Sequence, residues 1–191
     1  MLNPIPYLCN IESSQVQPKP LFLAEIPTMN KINTAVTIRD FQPGDEANFR
    51  RLNEEWITRY FAVESKDEQS FADPQATIID CGGRIFLAFQ EENAVGCCAL
   101  VFMSPGEFEV AKMAVTQSLQ GAGIGRQLLE RTIAEARAAG ATRLYLETNH
   151  NLTPAISLYR SLGFQPVPSE RVVPSPYDRA DVYMELQLRA S

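Results

Sequence analysis

Three glycines separate a strand-like segment of this chain from an amphipathic helical one, and this junction limits how the chain can fold. Gly121 and Gly123 lie between the strand-like residues 107–115 and the helical pattern of residues 124–136, and Gly125 is the second residue of that pattern. A glycine inside a helix costs about 1 kcal/mol relative to alanine. Backbone N–H groups with no Cβ beside them can approach an anion closely, and the helix dipole favours this. The junction predicts either an anion-binding turn or a plain glycine-rich turn.

Two common nucleotide-binding loops do not fit this junction. The dinucleotide-binding fingerprint Gly-x-Gly-x-x-Gly requires glycine where Arg126 stands, and the strand in front follows a meander instead of opening a βαβ unit. The phosphate-binding loop of nucleotide triphosphatases ends in Gly-Lys-Ser or Gly-Lys-Thr, which this sequence lacks. Neither class of nucleotide-binding protein is predicted.

The spacing of apolar residues predicts strands and helices in the order β-α-α-β-β-β-α-β-α-β-β. The predicted strands are 36–38, 84–90, 94–103, 107–115, 143–147, 164–167 and 182–188, and the predicted helices are 45–60, one or two short helices within 65–80, 124–136 and 154–162. Residues 84–115 form an antiparallel meander in this scheme. The order is that of a mixed α/β (α+β) fold with no internal repeat.

The length of 191 residues suits a single domain, which we place at residues 34–191. Residues 1–33 are rich in proline and show no sustained hydrophobic period, which predicts a poorly ordered N-terminal extension, with Met29 as an alternative start.

Charge and composition exclude several functions. The net charge of −6 argues against nucleic acid as a partner, and no apolar run reaches the roughly 20 residues that cross a bilayer. The four cysteines form no Cys-x-x-Cys pair, and a single histidine, His150, excludes a histidine-rich metal site. We expect buried free thiols, no metal, no nucleic-acid or membrane partner and a cytoplasmic location.

Two motifs carry a resemblance to a known family. The spacing Gln120-x-x-Gly123-x-Gly125 resembles the Gln/Arg-x-x-Gly-x-Gly/Ala signature of the GNAT superfamily, the acetyl-CoA-dependent N-acetyltransferases. Downstream, residues 154–164, Pro-Ala-Ile-Ser-Leu-Tyr-Arg-Ser-Leu-Gly-Phe, are similar to the family segment Ala-Ile-x-Leu-Tyr-x-x-x-Gly-Phe. The resemblance covers about residues 35–188. It implies a mixed, mostly antiparallel central sheet flanked by helices, with splayed central strands, and acetyl-CoA as co-substrate.

The resemblance also implies which residues hold coenzyme A. The pyrophosphate would lie on the turn, and the pantetheine arm would pair with the strand before it; the implied contacts are Met113, Ala114, Val115, Gln120, Gly121, Ala122, Gly123, Ile124, Gly125, Arg126, Asn151 and Tyr159. The family often places asparagine seven residues before this tyrosine, whereas this chain has Leu152 there and asparagines at 149 and 151.

Acetyl transfer to an amine needs a base, a polarised carbonyl and a proton donor for the leaving thiolate. The resemblance implies Tyr159 as the donor, against the alternative of a tyrosine packed in the core. It implies Glu109 as the base, against a glutamate on a solvated strand face, and Glu147 is a second candidate. A backbone N–H of Met113 or Val115 would stabilise the oxyanion. We expect His150 to be a solvent-exposed loop residue.

Aromatic and polar residues at two places could shape an acceptor pocket. They are Trp56, Arg59, Tyr60 and Phe61 at the end of the first helix, and Tyr177, Arg179 and Tyr183 near the C-terminus. Core packing at helical spacing is the alternative for Trp56 and Tyr60. Arg59 and Arg179 would suit a substrate carboxylate.

The sequence thus predicts an N-acetyltransferase that acts on the primary amine of a small molecule by direct attack. The alternatives are acetylation of a protein or peptide and a non-catalytic acyl-CoA-binding regulatory module. The oligomeric state stays open, and a homodimer is compatible with the sequence.

Overall fold

The computed structural model describes residues 36–188, which contain one seven-stranded sheet with the strand order β1-β2-β3-β4-β5-β7-β6. The strands are β1 (Thr37–Asp40), β2 (Arg84–Gln90), β3 (Asn93–Ser104), β4 (Glu107–Val115), β5 (Arg143–Thr148), β6 (Gln165–Pro166) and β7 (Val182–Gln187). Neighbouring strands are antiparallel except for the parallel pair β4 and β5. The predicted fold class, a mixed and mostly antiparallel sheet flanked by helices, is confirmed.

Four α-helices cover the sheet within the described residues: α1 (Glu46–Tyr60), α2 (Ser65–Ala72), α3 (Ile124–Ala138) and α4 (Thr153–Ser161). A π-helical turn, Gln75–Ile79, follows α2, and 3-10 turns lie at Gln117–Leu119 and Ser169–Arg171. Pro154 lies in the first turn of α4, where the missing N–H costs nothing, and Asp67 forms a capping box with Glu64 at the start of α2. The predicted order of strands and helices is confirmed.

The sheet has an apolar core on each face. Phe86 and Leu87 are neighbours in β2 and fully buried, but Phe86 packs with Leu128 of α3 whereas Leu87 packs with Phe49 of α1. Successive side chains of a strand point to opposite faces, so helices on both faces explain why the central strands read as continuous apolar runs.

Burial of the cysteines follows this arrangement in part. Cys97 and Cys98 are buried on opposite faces of β3, as expected, and burial raises the pKa of each thiol to about 12. Cys81 is exposed, so the expectation of buried thiols is wrong for this residue. It lies in the turn before β2, outside the alternating apolar pattern that buries the other two. Cys9 and the predicted N-terminal extension lie outside the described residues.

Strands β4 and β5 diverge along the sheet. Across the described residues, their parallel ladder pairs Glu107–Glu109 with Arg143–Tyr145 and then stops. The edge of β4 from Val110 to Val115 therefore has no partner on the β5 side, while its other edge stays paired with β3. In the described part of the chain, no helix is both long and apolar enough to cross a bilayer.

Candidate active site

A cavity of about 480 Å³ fills the split between β4 and β5. Its walls come from the glycine turn, α4, α1 and the segment before β7. The lining residues include Asn53, Trp56, Ile57, Tyr60, Phe61, Glu109, Val110, Ala111, Lys112, Met113, Ala114, Val115, Gln120, Gly121, Gly123, Gly125, Arg126, Glu147, Asn149, Leu152, Pro154, Leu158, Tyr159, Tyr177 and Arg179. The split therefore brings together most of the residues that the sequence singled out.

The three glycines of the turn are needed for two different reasons. Gly121 and Gly123 have φ angles of +83° and +86°, a left-handed conformation that other residues rarely adopt, and the space beside each Cα is open. Gly125 is an ordinary helical residue, but a Cβ there would lie 3.1 Å from Cε of Met113. Gly121 occupies a variable position of the family signature, yet its backbone restricts it as strongly as that of Gly123.

The turn leaves unpaired N–H groups at the mouth of the cavity. The hydrogen bond from the N–H of Gln127 to the carbonyl of Gly123 begins the ladder of α3, so the N–H groups of Ile124, Gly125 and Arg126 have no intrahelical acceptor. The amide of Gln120 donates to the Val115 carbonyl at 3.1 Å, which ties the turn to β4. These unpaired donors and the open space beside Gly121 and Gly123 fit a pyrophosphate.

Two loop residues contribute no side chain to the cavity. Ile124 is buried in the core and Ala122 packs against it, so either residue would contact a ligand only through its backbone. The guanidinium of Arg126 is exposed at the cavity wall, where it donates to Ser161 Oγ at 2.6 Å.

A bulge in β4 shapes the middle of the cavity. The β3–β4 register shifts at this point, and Lys112 has a φ angle of +51°, which is strained for a residue with a side chain. The Cys97 thiol donates to the Lys112 carbonyl at 3.3 Å and accepts from the amide of Asn53 at 3.3 Å. The Lys112 ammonium donates to Asp67 at 2.6 Å and to the Tyr177 hydroxyl at 2.8 Å. These contacts hold the bulge on both sides.

Tyr159 projects from α4 onto the cavity wall. Its ring packs against Phe164 and is buried, while its hydroxyl lies 3.9 Å from Sδ of Met113, a weak acceptor. Burial raises the pKa of this phenol above its ordinary value, and the neighbouring Cys98 adds to the shift. The hydroxyl therefore keeps its proton at neutral pH and is free to donate it to a ligand atom.

Two carboxylates face each other where β4 and β5 diverge. Glu147 accepts hydrogen bonds from the hydroxyls of Tyr145, at 3.3 Å, and Ser175. No hydrogen bond within the described residues reaches the Glu109 carboxylate. Burial raises the pKa of Glu109 to about 7, the charge of Glu147 adds to this, and the charges of Lys66 and Lys112 oppose it. Glu109 is thus poised to exchange protons near neutral pH.

The remaining predicted residues divide into two groups. Trp56 and Tyr60 line the cavity, and Trp56 also packs partly against the core, which agrees with both interpretations of it. Arg59 and Tyr183 do not line it: Arg59 bonds to Gln117, and Tyr183 stacks on Tyr145. Their predicted contact with a substrate therefore has no support from the cavity lining, although Tyr183 is paired with Glu147 and lies on the same face of the sheet.

The asparagine prediction needs the same correction. Asn151 is exposed and lies outside the cavity lining, whereas Asn149 is buried and lines it. The Asn149 side chain accepts from the N–H of Asn151 at 2.9 Å and donates to the Arg179 carbonyl at 2.7 Å. His150 is exposed, as expected, and pairs with Asp181.

Sequence reasoning missed Asn53. It lies on the buried face of α1 next to Leu52 and supports the bulge through Cys97. A polar residue within the apolar stripe of a helix was the available signal, since buried amides need partners.

In the described residues, no group of three His, Cys, Asp or Glu side chains could hold a metal ion. The split strands, the unpaired N–H groups of the glycine turn, and Tyr159 and Glu109 in the same cavity suit a class of protein that binds a phosphate-bearing acyl carrier in an extended form and transfers its acyl group. Comparison with known proteins identifies this class.

Residues 49–164 match the model of the acetyltransferase (GNAT) family. The IAA acetyltransferase of Azospirillum brasilense is 34% identical over 163 residues, which are 80% of this chain and 98% of that protein. The [ribosomal protein bS18]-alanine N-acetyltransferase of Escherichia coli (strain K12) is 33% identical over 99 residues, which are 51% of this chain and 62% of that protein. This chain belongs to the GNAT family, and it is an acetyl-CoA-dependent acyltransferase.

Solved structures agree on the fold. An acetyltransferase of the GNAT family from Staphylococcus aureus Mu50 superposes with a TM-score of 0.74 at 18% identity, covering 81% of this chain and all of that one (100%). The yncA protein of Salmonella typhimurium, solved with its cofactor acetyl-CoA, superposes with a TM-score of 0.65 at 23% identity, covering 82% of this chain and 96% of that one.

Proposed function

We propose that the protein transfers the acetyl group of acetyl-CoA to the primary amine of a small molecule by direct attack. The observation that carries the small-molecule assignment is the segment before β7, which lines the cavity through Tyr177 and Arg179 and is fastened to the start of α2. Arg179 donates to Asp67 at 2.7 Å and to Glu64 at 2.8 Å, and the N–H of Asp178 donates to Glu64 at 3.0 Å. A folded protein surface would need an open groove here.

The similar proteins include enzymes for both kinds of acceptor, but they align with this chain to different extents. The relative that aligns along nearly its whole length is named an IAA acetyltransferase, whereas the ribosomal-protein acetyltransferase aligns over 62% of its length. The alignment that spans more of both chains favours the small acceptor.

Coenzyme A would lie along the unpaired edge of β4, with its pyrophosphate on the turn at Gly121, Gly123 and Gly125. Acetyl-CoA supplies the acetyl group as a thioester, and the chain's own residues manage the charges and protons. A backbone N–H of Met113 or Val115 donates to the carbonyl oxygen, on which negative charge develops. In the reaction the N–C bond of the amide forms and the C–S bond breaks.

Glu109 and Tyr159 would handle the two proton movements. Glu109 takes a proton from the acceptor ammonium, directly or through water, because the pKa of this carboxyl is near 7. The Tyr159 hydroxyl donates to the leaving sulfur. No covalent intermediate on the enzyme is needed, and the buried, protonated Cys97 and Cys98 could not supply one.

A panel of primary amines and peptides tests this function. Release of free thiol from acetyl-CoA measures turnover, and the mass of each acceptor shows whether it gained an acetyl group. We expect acetylated small amines and unmodified peptides. Acetylated peptides alone would assign a protein acceptor, and acetyl-CoA binding without turnover would indicate the regulatory module.

Thermal stabilisation by acetyl-CoA checks the binding half separately. Stabilisation grows with the logarithm of ligand concentration above the dissociation constant, and adenosine nucleotides without the pantetheine arm provide the comparison. Equal shifts with both ligands would contradict the assignment of the β4 edge to pantetheine.

A further inference from the structure

A second cavity adjoins the first at the two carboxylates. Its volume is about 470 Å³, and it shares with the first cavity the lining residues Glu109, Ala111, Lys112, Glu147 and Tyr177. The pantetheine edge of β4 and the glycine turn line the first cavity alone. A molecule in the second cavity would therefore meet Glu109 from the side opposite to the coenzyme.

The cations around this second cavity are paired, with one exception. Lys112 pairs with Asp67, and both Arg143 and Arg171 pair with Glu185. Lys66 is exposed on the first turn of α2, and no carboxylate of the described residues lies within ion-pairing distance of it. The contact that remains is with the Tyr177 ring, whose centroid lies 5.6 Å from the Lys66 ammonium.

The second cavity therefore holds charges of both signs. Glu109 and Glu147 lie at its junction with the first cavity, and Lys66 lines the second cavity alone, beside Tyr177 at that junction. Apolar side chains, among them Met103 and Val173, line the same space and are exposed there. A ligand that matches these walls has an ammonium and an anionic group close together and an apolar portion that extends from them.

Arg59 and Arg179, the residues that the sequence suggested for a substrate carboxylate, are not available for it. Arg179 is fastened to Asp67 and Glu64, and Arg59 bonds to Gln117. The charge of Lys66 also reaches Glu109, where it acts to lower the pKa of that carboxyl.

We infer that the second cavity binds the acceptor and that the acceptor is an amine that also carries a carboxylate, which pairs with Lys66. This inference rests on the proposed acetyl transfer and adds the class of substrate. The amine would lie at Glu109, the carboxylate at Lys66 and an apolar side chain along Met103 and Val173, as in an apolar amino acid.

The test compares each amino acid with its carboxamide, which keeps the amine and the side chain and removes the negative charge. We expect the wild-type protein to favour the carboxylate in kcat/KM, and the Lys66→Met variant to reduce this preference about five- to tenfold, as for a charged hydrogen bond at a partly exposed site. Lys66→Arg should restore most of the preference, since it returns the positive charge.

Arg137→Met is the matched control. It removes one positive charge from an exposed position of α3 that lines neither cavity, so the preference should stay at the wild-type value. Turnover of amines without any preference for carboxylates, or an unchanged preference in Lys66→Met, would overturn this inference and leave acetyl transfer standing. Absence of turnover with every amine would overturn the proposed function and this inference together.

Discussion

At the scale of single residues, the proposed chemistry depends on Glu109, whose pKa is raised to about 7. A base works in its deprotonated form, so kcat/KM should rise with pH through a limb near 7. Glu109→Gln should lower kcat about a hundredfold and remove this limb, which a pH profile of thiol release measures.

A change at Glu147 provides a second test of Glu109 as the base. Its negative charge contributes to the raised pKa of Glu109, so Glu147→Gln should move the limb to lower pH. The matched control is Glu107→Gln, which lies on β4 with Glu109 but outside both cavities and should leave the limb in place. A limb that stays near 7 in Glu109→Gln would assign the base to another group.

Tyr159 differs from Glu109 because it also packs in the core. Tyr159→Phe keeps the ring against Phe164 and removes only the hydroxyl, whose acceptor is the weak Met113 sulfur. Turnover should fall at least tenfold, while the dissociation constant of acetyl-CoA and the melting temperature change little. Equal losses of turnover and binding would make Tyr159 a structural residue.

At the scale of elements, the glycine turn and α3 form one unit whose backbone is presented to the coenzyme. Alanine at Gly121 or Gly123 must adopt a positive φ, which costs about 1 kcal/mol of stability or changes the turn. Either variant should weaken acetyl-CoA binding. Gly125→Ala should also weaken it, because the new methyl group would displace Met113 beside the β4 edge.

Gly140, at the other end of α3, provides the control for this prediction. It has a φ angle of +78° and open space, like Gly121 and Gly123, but lies outside the cavity. Gly140→Ala should therefore lose similar stability in urea unfolding and keep its affinity for acetyl-CoA in calorimetric titration. Equal affinities in all of these variants would refute an anion site at the turn.

Elements were also the scale at which sequence reasoning worked best. Helical and strand periods are local, so the order of strands and helices was predicted correctly, and the glycine spacing located the turn. The contact of Asn53 with Cys97 joins residues 44 apart, and that of Arg179 with Asp67 joins residues 112 apart. Such contacts depend on tertiary packing, which the sequence pattern does not reveal. The sequence therefore suggests a substrate contact for Arg179, and it suggests Asn151 instead of Asn149 as a contact of coenzyme A.

At the scale of the whole molecule, one buried ionic cluster joins three distant parts of the chain. Asp67 of α2 accepts from Lys112 of the β4 bulge and from Arg179 of the segment before β7, and it is fully buried. Burial alone would raise the pKa of Asp67, but the hydrogen bonds from Arg179 and Lys112 lower it below its ordinary value. The same carboxylate therefore holds the bulge and fastens the segment before β7 to α2.

Asp67→Asn would leave the buried Lys112 ammonium without its counterion and Arg179 paired with Glu64 alone, and removing one partner of a buried pair costs about 3–5 kcal/mol. Urea unfolding at pH 7 should show this loss in the free energy of unfolding. The control is Glu68→Gln, an exposed neighbour on α2 that pairs with Arg50, which should lose about 1 kcal/mol or less.

The pKa of Asp67 is lower in the folded protein than in the unfolded chain. The contribution of its charge to the free energy of unfolding is therefore complete above about pH 4 and declines as the pH falls through the folded pKa. The stability difference between wild type and Asp67→Asn should accordingly narrow in acid, and a difference independent of pH would show that the cluster acts through packing and not through charge.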